Sequence, residues 1–138
     1  MINTHSILVI EDDETDYDIV RRNFSKVAGH AFEIFHCVNV EDAIDLLSKK
    51  SIDLVLLDNH LGPEIDIRAS LPRLRKAGYT NPIGILSSDV ENETVEQFDS
   101  LGGDFRMSKD ELDPKAIQFF LNELSKSALP NDCDEDYS

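Results

Sequence analysis

Three stretches of the chain are apolar without interruption, Ile7-Leu8-Val9-Ile10, Leu54-Val55-Leu56-Leu57 and Ile83-Gly84-Ile85-Leu86, and each stops on a polar or charged residue. Four apolar residues in a row leave neither face of a strand for water, so these runs predict strands covered on both sides, the pattern of a parallel sheet. Between them the period lengthens. Ile19, Val20, Phe24 and Val27 recur at helical spacing, which predicts a helix over about 15–28 with Gly29 as its stop. Phe32 to Val38 is aromatic and β-branched, a second strand, and Asn39 caps a helix carrying Ala43, Ile44, Leu46 and Leu47.

The strand at 52–57 opens a third unit, whose continuation is irregular. Leu61-Gly62-Pro63 reads as a loop, followed by a short helix capped by Ser70 with Pro72 tolerated in its first turn. After the turn at Gly78 to Asn81 comes the strand at 82–86. A mostly polar helix over 91–101 follows, with Val95, Phe98 and Leu101 inward and Gly102-Gly103 closing it. Phe105-Arg106-Met107 is a short fifth strand, and Asp113-Pro114 starts a last helix through Ile117, Phe120, Leu121 and Leu124. Five strand–helix alternations with right-handed crossovers predict an α/β fold, a doubly wound parallel sheet with helices on both faces. Residues 1–129 are expected to form one domain, and 130–138 a disordered acidic tail.

Composition narrows the functional classes. The chain has 138 residues, 41% of them hydrophobic, enough for a single core, and no run long enough to span a bilayer. The start lacks a signal-peptide pattern, so a cytoplasmic location is expected. Cys37 and Cys133 are too few for a disulfide framework and read as free thiols. Twenty-eight acidic against thirteen basic residues give a net charge of −15, which repels nucleic acid and anionic membranes alike. His5, His30, His36 and His60 lack zinc-ligand spacing.

In a doubly wound sheet reactive groups collect beyond the carboxyl ends of the strands. Here that edge gathers Glu11, Asp12 and Asp13 after the first strand, Asp58 after the third, Ser87 after the fourth and Lys109 after the fifth. An acid after a strand can simply cap a helix, so each of these alone is weak. Together, two or three carboxylates supply hard oxygen ligands for Mg²⁺, while a hydroxyl and an ammonium can hold phosphoryl oxygens. A carboxylate held there can attack phosphorus and become an aspartyl phosphate.

With these residues the chain resembles the receiver domain of two-component response regulators. The motifs are Ile7-Leu8-Val9-Ile10-Glu11-Asp12-Asp13, Leu56-Leu57-Asp58, Ile85-Leu86-Ser87-Ser88 and Gly102-Gly103-Asp104-Phe105-Arg106-Met107-Ser108-Lys109, in order and correctly spaced over about 6–128. The resemblance implies a flavodoxin-like, five-stranded sheet in the order 2-1-3-4-5. It implies Asp58 as phosphoacceptor, Asp12 as a direct Mg²⁺ ligand and Glu11 as a water-mediated one, with Asp13 the spare acid of that run. Ser87 becomes the reorienting hydroxyl, Lys109 the cation on the phosphate, and His60 the donor of a backbone carbonyl to the metal. His60 and Asp89 fall where the family flanks the path of the attacking water.

Departures surround this set. The family's proline and glycine after the phosphoacceptor are Gly62 and Asp66, with Pro63 one place late. Its proline after the lysine is Asp110, and its aromatic switch position on the fifth strand is Arg106. A guanidinium resists burial without a paired acid, so Arg106 is expected to alternate between solvent and Glu91, Glu93 or Glu96 on the fourth helix. With no further domain expected, output is expected through another protein. The implied partners are a sensor histidine kinase or a histidine phosphotransfer protein, plus a downstream protein target. The chain would catalyse only its own phosphorylation and dephosphorylation. The alternative is a degenerate receiver serving as a constitutive binding module. A dehalogenase-type hydrolase is disfavoured because His60 stands where its second acid belongs.

Overall fold

A computed structural model of the chain describes residues 3–61, 66–87, 98–119 and 121–122. Five strands form one parallel sheet: β1 (Asn3–Ile10), β2 (His30–Cys37), β3 (Leu54–Asp58), β4 (Ile83–Ser87) and β5 (Phe105–Ser108), in the order β2-β1-β3-β4-β5. Helices α1 (Glu14–Ser25), α2 (Val40–Lys49) and α3 (Ile67–Lys76) connect them, and residues 114–119 and 121–122 are helical. The fold is thus the expected doubly wound one, with β3 central and all five of its residues buried.

The uninterrupted apolar runs feed two cores at once. Successive side chains on a strand point to opposite faces. Ile7, Val9, Leu54 and Leu56 accordingly pack with Val20, Phe24, Val27, Ile117 and Leu121 on one side. Leu8, Ile10, Val55 and Leu57 pack with Val40, Ala43, Ile67, Leu71 and Leu74 on the other. β4 keeps the second pattern with a gap. A Cβ on Gly84 would lie 2.3 Å from the Phe105 ring, so the missing side chain is what lets β5's aromatic close over the sheet.

Several boundaries differ from expectation. Helix α1 stops at Ser25, three residues early: the Lys26 N–H turns back onto the Asn23 and Phe24 carbonyls, and Gly29, at φ +80°, leads into β2. Helix α3 is capped by Asp66 rather than Ser70. The Asp66 carboxylate accepts from the Arg68 N–H at 2.9 Å, while Ser70 lies inside the helix with its hydroxyl donating to the Asp66 carbonyl. Pro72 therefore sits in the interior, where it offers no N–H to the Arg68 carbonyl; Arg68 is exposed, so water can take that acceptor. Asn39 does cap α2, accepting from the Asp42 N–H at 2.8 Å, and Asp113 accepts from the Ala116 N–H at the start of the last helical stretch.

The Gly103 N–H bonds the Phe98 carbonyl and the Gly102 N–H the Asp99 carbonyl, the pair of bonds that closes a helix, with Gly102 at φ +108°. The expected helix over 91–101 otherwise lies outside the described residues. So do Gly62, Pro63, Asp89, Glu91, Glu93, Glu96, Phe120, Leu124, Cys133 and the expected tail. Among the described residues no helix is long and apolar enough to cross a membrane.

Candidate phosphoacceptor site

The carboxyl edge of the sheet is assembled by register. Ile10 pairs with Leu57 and Asp58 with Leu86, so Glu11, Asp58 and Ser87 emerge from three adjacent strands at one level. Ser87 in turn pairs with Ser108, and Lys109 follows in a short 3-10 turn, Lys109–Glu111. One carboxylate oxygen each from Glu11, Asp12 and Asp58 lies within 4.8 Å of the others. Glu11 and Asp58 are buried while Asp12 is exposed, so the cluster opens to solvent on the Asp12 side.

Burying a carboxylate beside another is unfavourable, and one cation compensates. Lys109 Nζ lies 2.9 Å from Glu11 Oε1, 2.8 Å from Asp16 Oδ2 and 3.2 Å from Asp58 Oδ1. Burial alone would lower the Lys109 pKa, but its bonds to Asp16 and Glu11 and the charge of Asp58 outweigh it and hold the ammonium above its ordinary value. Burial, reinforced by Asp58, pushes Glu11 well above the usual carboxylate range, with Lys109 opposing. A small cation at the cluster would answer this excess of negative charge, and three hard oxygens at this spacing suit Mg²⁺.

The other expected residues fall into place unequally. Ser87 is buried at the same edge. His60 is exposed beyond β3, and its ring accepts from the Asn59 Nδ2 at 3.2 Å. Asp13 belongs to the helix, not to the cluster: its carboxylate accepts from the Thr15 and Asp16 N–H groups as the cap of α1, and its own N–H donates to Glu11 Oε2 at 3.2 Å. Asp110 keeps an N–H that proline would lack and donates it to Ser108 Oγ, within a capping box completed by Glu111. Arg106 is exposed on β5, its guanidinium 5.7 Å from the centre of the Phe98 ring.

Four residues were not anticipated. Asp16 shares Lys109. His36 donates from Nε2 to the Glu11 carbonyl at 2.7 Å, and Tyr17 stacks flat on the His36 ring with centroids 3.9 Å apart. Asn59 is buried, and among the described residues its Oδ1 has no hydrogen-bond partner. Asp16 and Tyr17 lie one turn beyond the acidic run on a helix that leaves its end, a spacing that could have placed them back at the site. Nothing in the sequence pairs His36 with them, because that contact depends on β2 lying beside β1.

The response regulator receiver domain model matches residues 7–119, most of the chain, and the chain belongs to that family. The two-component response regulator ORR41 of Oryza sativa subsp. japonica is 32% identical over 105 residues, 75% of this chain and 81% of the relative. A two-component response regulator from Clostridium difficile superposes with a TM-score of 0.72 at 20% identity, covering 88% of this chain and 96% of that one. A phosphorylated cyanobacterial phytochrome response regulator, RcpA, does so at 0.65 and 19%, covering 76% and 80%. At these identities the two structures speak for the fold alone.

Proposed function

We propose that this receiver accepts a phosphoryl group on Asp58 from a histidine kinase or a histidine phosphotransfer protein, and thereby switches its contacts with a downstream protein. The observation that carries this reading is the meeting of the Asp58 carboxylate, the Glu11 and Asp12 carboxylates and the Lys109 ammonium at one strand edge. Glu11, Asp12 and Asp58 would hold Mg²⁺, with the His60 backbone carbonyl added by family resemblance. Bound there, the ion would neutralise charge on the phosphoryl oxygens.

An Asp58 carboxylate oxygen forms the new O–P bond as the N–P bond of the phosphohistidine breaks, and the departing imidazole keeps that electron pair and takes up a proton. Lys109 meets the charge that gathers on the phosphoryl oxygens, and the Ser87 hydroxyl donates to one of them. Water attacking phosphorus later breaks the O–P bond and returns the carboxylate. The chain thus catalyses only its own phosphorylation and dephosphorylation. With −15 net charge, the downstream target is a protein and not nucleic acid.

Intact-mass measurement after incubation with acetyl phosphate and Mg²⁺ tests the proposal. One added phosphoryl group, lost with chelator or in Asp58→Asn, supports it. An unmodified wild type beside a labelled control receiver favours the constitutive binding module.

A further inference from the structure

Asp16 has no part in the reaction just described, yet it approaches Lys109 more closely than Asp58 does, at 2.8 Å against 3.2 Å. An ammonium has three donors and no more. At Lys109 three carboxylates surround them, those of Glu11, Asp16 and Asp58. Asp16 belongs to α1, 93 positions from the lysine along the chain, so this one contact ties the start of α1 to the turn after β5.

A phosphoryl group on Asp58 changes what the ammonium must serve. The donor that Asp58 now holds passes to the phosphoryl oxygens, but these lie beyond the carboxylate and carry more charge, so for the ammonium to follow them outward one of its other two carboxylates must loosen its hold. Glu11 is the more costly to abandon, because its carboxylate is almost wholly buried and no water can take the place of the lysine donor. Asp16 is the cheapest: its side chain is 36% exposed, and solvent can take the lysine's place. We propose that Asp16 is a positioning residue that holds Lys109 in the unphosphorylated arrangement and releases it when a phosphoryl group occupies Asp58, freeing the first turn of α1 from β5. This rests on the phosphoacceptor reading above.

The consequence has a sign. Asp16 favours the unphosphorylated form, so neutralising it must tighten the binding of anything that resembles a phosphoryl group at Asp58. Beryllofluoride with Mg²⁺, titrated into the full chain and followed by calorimetry, is the probe. Asp16→Asn and Asp16→Ala should each reach half-saturation at about three- to tenfold lower beryllofluoride than wild type, the range of a half-exposed charged hydrogen bond. Asp45→Asn, which removes an exposed ion pair with Lys49 on α2, should not shift it. Amide exchange over residues 14–18 should rise on saturation in wild type and be raised already in Asp16→Asn. Equal or weaker binding by both Asp16 variants overturns the proposal, as does an unchanged exchange pattern. Failure of the wild type itself to bind removes the phosphoacceptor reading and this proposal with it, an outcome distinct from the first.

Discussion

At the scale of single residues, Asn59 is the anomaly beside Asp58. Its side chain is buried; Nδ2 donates to His60, and among the described residues no donor meets Oδ1. An unmade hydrogen bond on a buried polar atom costs about 1–3 kcal/mol, whereas an apolar group of the same shape costs nothing there. Asn59→Leu should therefore raise stability by about 1 kcal/mol in urea unfolding, and an equal or larger loss would mean that the amide has a partner in solution. His5 provides the pH dependence. Its Nε2 shares a hydrogen with His30 Nδ1 at 2.9 Å, His30 reaches Gln118 on its other nitrogen at 3.2 Å, and Phe32 stacks beside both rings. Burial first and His30 second push the His5 pKa down, with the Asp53 carboxylate pulling the other way. A depressed histidine pKa means that protonation favours the unfolded chain, so its contribution is complete above the ordinary value of 6.5 and fades as pH falls below it. The drop in melting temperature between pH 7.5 and 5.5 should be smaller in His5→Gln than in wild type; identical drops would remove His5 from the explanation.

Among elements, the β4–β5 pair depends on a vacancy. Since a Cβ at Gly84 would stand 2.3 Å from Phe105 Cε2 and Cζ, Gly84→Ala must displace the ring or the strand, and overpacking of this kind costs about 1–3 kcal/mol. Denaturant unfolding measures it, and Gly84→Ala combined with Phe105→Leu should recover part of the loss. This dependence is invisible in the sequence, where Gly84 is simply one residue of an apolar run. What the sequence does reveal is whatever local chemistry controls: the three apolar runs, the caps at Asn39 and Asp113, and the doubly wound parallel sheet once five βα alternations are recognised, the strand order following from the family resemblance. The misplaced start of α3 shows the limit. Ser70 and Asp66 are both good caps by residue type, and burial of Ile67 against the sheet, a tertiary contact, selects the earlier one. The same holds at the site. Glu11, Asp12, Asp58, Ser87 and Lys109 are legible because each ends a strand, whereas Asp16, His36 and Asn59 matter only through neighbours supplied by other elements.

For the molecule as a whole, the net charge of −15 is the dominant fact, and three of its carboxylates meet where the strands end. Bringing Glu11, Asp12 and Asp58 together opposes folding, and the single charge of Lys109 offsets only part of theirs. At roughly millimolar affinity, about 10 mM Mg²⁺ would add about 1.4 kcal/mol by mass action. The melting temperature should rise with Mg²⁺ in wild type and not in Asp12→Ala; equal rises would place the ion elsewhere. The central claim is that Asp58, and no other acid of the cluster, carries the phosphoryl group. An acyl phosphate is reduced by borohydride to the alcohol, which turns a phosphorylated aspartate into homoserine. After treatment with acetyl phosphate and Mg²⁺, then borohydride, peptide mass spectrometry should find homoserine at position 58 and nowhere else. Homoserine at 12, 13 or 16, or none at all beside a receiver that is labelled in parallel, would contradict it.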